Sequence, residues 1–189
     1  MKNTLFLLPI FLFINISCKK ECTDPLCQLP PATQTGANTM GCLVNGQPWL
    51  PDTRDNGGIP RLKPIYVSFW NTNTEFFFQF YLQKTPISQS IVFYIKNFSG
   101  IGVYRMDSLT RLIGPPGSSG VLNNHFNFSE NKLGLEYATG EKFHGVLKIQ
   151  YYDATSKIIA GSFNFKAGNI QNPSDSVVVT HGRFDCKMD

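Results

Sequence analysis

Glu75-Phe76-Phe77-Phe78-Gln79-Phe80-Tyr81-Leu82-Gln83 is the stretch that decides the fold. In an extended chain successive side chains point to opposite faces, so Phe76, Phe78, Phe80 and Leu82 share one side. Phe77, Gln79, Tyr81 and Gln83 share the other. A helix would scatter the two sets around its circumference, whereas a strand separates them cleanly. Aromatics on both sides imply a central strand covered twice, or one whose second face meets a ligand or partner.

The period of two continues in both directions. Upstream, Pro64 to Asn71 alternates, and Thr39 to Val44 and Gln47 to Leu50 flank Asn45-Gly46. Both of those residues tolerate positive φ, which a two-residue hairpin needs. Downstream, Ser90 to Phe98, Gly102 to Met106, Val121 to Phe128 and Lys132 to Ala138 read as strands. In His144 to Asp153, Leu147, Ile149 and Tyr151 are set against Lys148, Gln150 and Tyr152. In Lys157 to Lys166, Ile159, Phe163 and Phe165 lie opposite Ser162, Asn164 and Lys166, with a bulge expected at Gly161. Ser176 to Phe184 closes the series. Short strands between turn residues predict an all-β domain, a single antiparallel sandwich or barrel-like sheet of about 9–11 strands, over residues 39–189.

The N-terminus predicts export. Lys2 precedes an apolar run from Leu5 to Ile16, about a dozen residues against the roughly 20 that a membrane-spanning helix needs. Asn15-Ile16-Ser17-Cys18 resembles the bacterial lipobox, departing from it at Asn15, where Leu is usual. That resemblance implies a signal peptide over residues 1–17, acylation (palmitate among the acyl groups) of Cys18, and anchoring to a membrane through the lipid. Lys19 stands where an Asp would retain an enterobacterial lipoprotein at the inner membrane. The expected location is therefore the outer membrane, facing the periplasm or the surface. Residues 18–38, with Pro25, Pro30, Pro31 and a polar run to Asn38, read as a flexible tether.

Five cysteines are present: Cys18, Cys22, Cys27, Cys42 and Cys186. With Cys18 acylated, four remain in an oxidising compartment and allow three connectivities. Proximity favours a Cys22–Cys27 clip, leaving Cys42 and Cys186 near the first and last strands. They form either a bridge or a pair of buried thiols acting as small hydrophobes.

Composition narrows the function classes. The chain has 189 residues, of which 42% are hydrophobic, 13% aromatic and only 16% charged, with a net charge of +4. No Lys/Arg run interleaves with aromatics, so nucleic-acid binding is not expected. His125, His144 and His181 lie far apart without metal-ligand spacing, and Gly117-Ser118-Ser119-Gly120 is not a nucleophile elbow. Asp52, Asp55 and Asn56 lack EF-hand spacing. No catalytic residue, metal or cofactor is expected. Trp49 and Trp70, with several tyrosines, are candidate stacking residues for a ligand, the competing reading being burial in the core. Asp107-Ser108-Leu109 and Asp175-Ser176-Val177 resemble the Asp-Ser/Thr-apolar acceptor of Bacteroidota O-glycosylation, naming Ser108 and Ser176; plain turn-to-strand junctions would read the same way.

Two longer stretches carry a further resemblance: Thr35-Gly36-Ala37-Asn38-Thr39-Met40-Gly41-Cys42-Leu43-Val44-Asn45-Gly46-Gln47-Pro48-Trp49, and Ile158 to Phe165 followed by Val178-Val179-Thr180-His181-Gly182-Arg183-Phe184-Asp185. They resemble the opening and ending of small uncharacterised all-β lipoproteins of Bacteroidota. The resemblance implies a phylum, a lipoprotein class and a β-rich domain, and no activity. The expectation is a membrane-anchored, non-catalytic envelope lipoprotein that binds a partner protein or has a structural role. The alternative is an accessory that captures a glycan or other ligand on an aromatic face or in a barrel mouth.

Overall fold

The structure is a computed structural model, and it describes residues 23–52, 63–70, 75–84, 87–108 and 123–189. The proposed signal peptide, Cys18, Cys22 (with the clip to Cys27), Asp55, Asn56 and the Gly117–Gly120 stretch lie outside the described residues.

Among the described residues, eleven antiparallel strands form one curled sheet. One limb runs from β2 (Gln47–Trp49) through β1 (Thr39–Val44) and β11 (Ser176–Lys187) to β10 (Ile158–Asn169), then to β9 (Gly145–Asp153) and β6 (Gly102–Met106). The other continues from β10 through β8 (Leu135–Ala138), β7 (His125–Glu130) and β5 (Ile87–Ile95) to β4 (Glu75–Lys84) and β3 (Ile65–Trp70). The sheet branches because one edge of β10 serves two neighbours. It runs along β9 from Ile158 to Phe165 and meets β8 at Gly168 and Asn169. The limbs curl toward each other as a half-barrel: Asp189 N–H donates to Val67 O at 2.9 Å, and Asp52 bridges Leu82 in parallel.

Local chemistry explains the elements. Asn45 (φ 48°) and Gly46 (φ 80°) both adopt the left-handed region and make the expected hairpin, with Asn45 Oδ1 accepting from Val178 N–H at 2.9 Å. The bulge expected at Gly161 is present, the β9–β10 register shifting between Ala160 and Gly161. The shift re-aims the end of β9. Tyr152 pairs with Ile159 and packs against the core, its ring 4.9 Å from that of Phe98, contrary to its expected outward position.

Residues 23–38 are no loose tether. A 3-10 turn at Pro25–Gln28 is capped by Asp24, and Leu29 is buried. Pro30 lies so close beneath Gly41 that a Cβ there would overlap it. Asp185 then fixes the next turn. Its Oδ2 accepts from Thr33 Oγ1 (2.6 Å), Thr35 N (2.9 Å) and Thr35 Oγ1 (3.2 Å), and its Oδ1 from Gly36 N (2.7 Å). Asn38 Oδ1 accepts from Lys187 N–H. This strap belongs to the folded unit, so the packed domain begins well before residue 39. Composition suggested solvation because the residue that satisfies the strap's donors lies about 150 residues downstream.

Cys42 and Cys186 are free, buried thiols, which overturns the bridge. Their strands are neighbours and both side chains face the core, as expected. The register defeats them: Thr39 lies opposite Asp185, so Cys186 falls level with position 38, four residues from Cys42. At about 3.3 Å per residue the offset is about 13 Å, beyond the roughly 7 Å Cα separation a disulfide tolerates.

Candidate functional site

The space between the limbs is occupied by phenylalanines. Phe93 of β5 stands 4.6 Å from Phe163 of β10 and 4.7 Å from Phe126 of β7, ring centre to ring centre, and Phe78 of β4 stands 5.2 Å from Phe184 of β11. Edge-on and tilted contacts of this kind are the arrangement aromatic quadrupoles favour. Trp49 belongs to this interior, only 3% exposed, with its Nε1–H donating to Gln89 Oε1 at 2.9 Å. Gln89 in turn donates to Glu130 Oε2 at 2.6 Å. Trp49 is therefore a core residue bonded across the limbs and cannot serve as a stacking platform. Trp70 lies on β3 opposite Glu75, and its side chain is outside the described residues.

The second faces of β3, β4, β5 and β7 form the candidate site. The register places Tyr66, Gln79, Val92 and Asn127 in one row, and Ser68, Phe77, Tyr94 and His125 in the next. Tyr81, Ser90 and Ser129 make a third. Neighbours within a row have Cβ atoms about 5 Å apart, so these side chains touch. Exposure falls across the face. Tyr66 is 39% exposed, Ser68, Phe77, Gln79 and Tyr81 are half-buried, and Ser90, Val92, Tyr94, His125 and Asn127 are buried. Tyr81 has its phenol raised by burial, partly offset by a hydrogen bond from Gln79. The result is a shallow surface of aromatic rings beside amides and hydroxyls, grading into a closed polar interior.

That interior is unusual. Tyr94 is pushed up by burial and by its hydrogen bond to the Glu75 carboxylate. Its ring stacks on His125 at 5.7 Å. His125 is 0% exposed; its Nδ1 lies 2.6 Å from Asn123 O, and among the described residues its Nε2 has no hydrogen-bond partner. Burial holds the imidazole below its ordinary pKa, the Asn123 carbonyl opposing only in part, so the ring is neutral. A proton on Nδ1 directed at Asn123 leaves Nε2 as a lone-pair acceptor. In the sequence His125 had no metal-site partner; its signal was parity alone, in phase with Asn127 and Ser129 on the second face of β7.

The other candidates are dispersed. Ser108 is half-buried, its N–H 3.4 Å from Asn124 O. Ser176 opens β11 opposite Gly168. Its neighbour Asp175 accepts from Asn169 Nδ2 at 3.1 Å and Tyr137 Oη at 2.8 Å, bonds that hold its carboxyl below the usual range. Among the described residues no three His, Cys, Asp or Glu side chains converge on a metal position, and no helix is long and apolar enough to cross a membrane. No protein-family model, curated protein or solved structure matches the chain.

Proposed function

We propose that this chain is an envelope lipoprotein, anchored through acylated Cys18, whose β domain is a non-catalytic binding module. Its ligand or partner is held on the second face of β3–β4–β5. The observation that carries the reading is the contrast between the two sides of β4. Phe76, Phe78 and Phe80 are fully buried in the interior, while Phe77, Gln79 and Tyr81 make a half-open outer row beside Tyr66. The anchor rests on the lipobox-like Asn15-Ile16-Ser17-Cys18 and on the resemblance of residues 35–49, 158–165 and 178–185 to small Bacteroidota lipoproteins.

A glycan is the ligand class this face favours. Sugar rings present apolar C–H faces to aromatic side chains and hydroxyls to amides, and the rows alternate these groups: Tyr66 beside Gln79, Phe77 beside Ser68, Tyr81 beside Ser90. Two experiments test the reading separately. Cys18→Ser abolishes acyl labelling and releases the protein from the membrane fraction; unchanged detergent partitioning refutes the anchor. On a glycan array the soluble domain binds, and Tyr66→Ala with Tyr81→Ala removes binding while thermal unfolding is retained. An empty array, or binding indifferent to both tyrosines, refutes the glycan reading.

A further inference from the structure

The opposite side of the molecule carries a surface of different character. On β6, β9 and β10 the core-facing residues are Tyr104, Met106, Leu147, Ile149, Phe163 and Phe165, so the alternate positions point away from the other limb. One outward row holds Val103, Lys148, Ser162 and Arg183, and the next holds Arg105, Val146 and Asn164. Lys166 follows on β10, and its Nζ lies 5.2 Å from the Phe143 ring, which Lys142 approaches to 5.1 Å from the neighbouring turn. Phe143 itself covers Gly168, where a Cβ would overlap the ring. The outward positions of the three strands thus carry Arg105, Lys148 and Lys166 against one carboxylate, Asp153, which closes β9 opposite Ile158 and accepts from Thr155 N–H and Ser156 Oγ; Asp107 and Glu141 stand beyond the strand ends.

Apolar residues stand open among these cations. Val103 and Ile101 are each 65% exposed and Val146 is 42% exposed. Branched aliphatics exposed on an edge strand are normally avoided, because they invite association. Cations on long stems around exposed aliphatics and one aromatic ring match the chemistry of a membrane interface. There ammonium and guanidinium groups meet phosphates while apolar groups enter the headgroup boundary.

The path of the strap says which way this surface faces. The Arg183 guanidinium, in the same outward row as Lys148, donates to the Leu26 carbonyl at 3.2 Å. The chain therefore leaves the domain on this side of the sheet. From Asp24 back to Cys18 are six residues, a reach of at most about 20 Å. An acyl chain on Cys18 would bring this face to the bilayer.

We infer that the outer face of β6–β9–β10 is a docking surface for an anionic lipid bilayer. It holds the domain flat on the membrane and turns the aromatic face of β3–β4–β5 away from it. The orientation rests on the Cys18 anchor proposed above, whereas the surface chemistry stands without it, and the two are tested apart. The processed chain from residue 18 with Cys18→Ser, which keeps every described residue and has no acyl group, is sedimented with phosphatidylcholine vesicles containing 30% phosphatidylglycerol. Neutral vesicles are the control. Binding is expected to the anionic vesicles alone and to weaken as salt rises. Arg105→Gln, Lys148→Gln and Lys166→Gln together are expected to weaken it about a hundredfold, at about fivefold per charge. All three residues are exposed, so the triple variant keeps the parent's thermal unfolding. Absence of binding, equal binding to neutral vesicles, or binding indifferent to the triple variant overturns the inference. So does self-association through the β6 edge with no vesicle binding, or capture of a soluble sulfated glycan with none of the vesicles.

Discussion

Asp185→Ala releases the strap. The wild-type carboxylate is buried and accepts four hydrogen bonds, two from threonine hydroxyls and two from the backbone N–H groups of Thr35 and Gly36. The hydroxyls can turn to water at little cost, but the two N–H groups lose their acceptor. An orphaned donor costs about 1–3 kcal/mol. Thr35 is exposed and can be rehydrated, while Gly36 is buried against Ile158 and Lys187 and cannot without opening the turn. The expected loss is therefore about 1–3 kcal/mol, measured as a lowered urea midpoint at nearly unchanged m-value. Asp185→Asn keeps one acceptor oxygen and should lose about half as much. The pH dependence has a definite sign. Burial alone would raise this carboxyl, but the bonds from Thr33, Thr35 and Gly36 outweigh it and hold it low. Its contribution is present above the unfolded value near 4 and disappears as pH falls through the folded value. The alanine variant should accordingly show a flatter acid limb and new proteolytic cleavage between residues 23 and 38. A variant within about 0.5 kcal/mol of the parent, with residues 23–38 still protected, would refute the argument.

Three further outcomes follow from the packing. His125 is held neutral below its ordinary pKa, so the unfolded chain takes up the proton first and stability should fall as pH drops below about 6.5; urea titrations of His125→Gln at pH 7 and 5 should show that slope reduced. Cys42 and Cys186 are buried free thiols whose pKa burial pushes up, so mass-spectrometric mapping after maleimide treatment should find both unmodified in native protein and both labelled in denaturant. At Gly161 a Cβ would overlap the Lys148 carbonyl oxygen and stand 2.9 Å from Phe184 Cζ, so Gly161→Ala should cost about 1–3 kcal/mol in a denaturant melt.

Alternation made most of the fold legible. Phe76, Phe78 and Phe80 are all fully buried, Asn45-Gly46 turns the first hairpin, and Gly161 sits at its bulge. What the sequence did not disclose depends on register between distant strands. Parity put Cys42 and Cys186 correctly on the core face but could not reveal the four-residue offset between them. A single register shift at Ala160/Gly161 was enough to turn Tyr152 inward. Trp49 read either as a stacking residue or as core, and what decides for the core includes Gln89, forty residues away. In the candidate site Tyr66, Phe77, Gln79 and Tyr81 were readable as one side of their strands. Their alignment with Tyr94 and His125 required the pairing of β4 with β5 and of β5 with β7.

The pairing of β1 with β11 has a temporal consequence. The first strand finds its long partner only in the last one, and β10 joins the two limbs shortly before the chain ends. A polypeptide emerging N-terminus first can form the β3–β4–β5 meander early. One edge of β1, however, and the strap that waits for Asp185, must stay unpaired until β11 has appeared. Such nonlocal closure folds slowly and leaves strand edges open meanwhile. A chain built this way keeps one edge of its first strand open until β11 has been made.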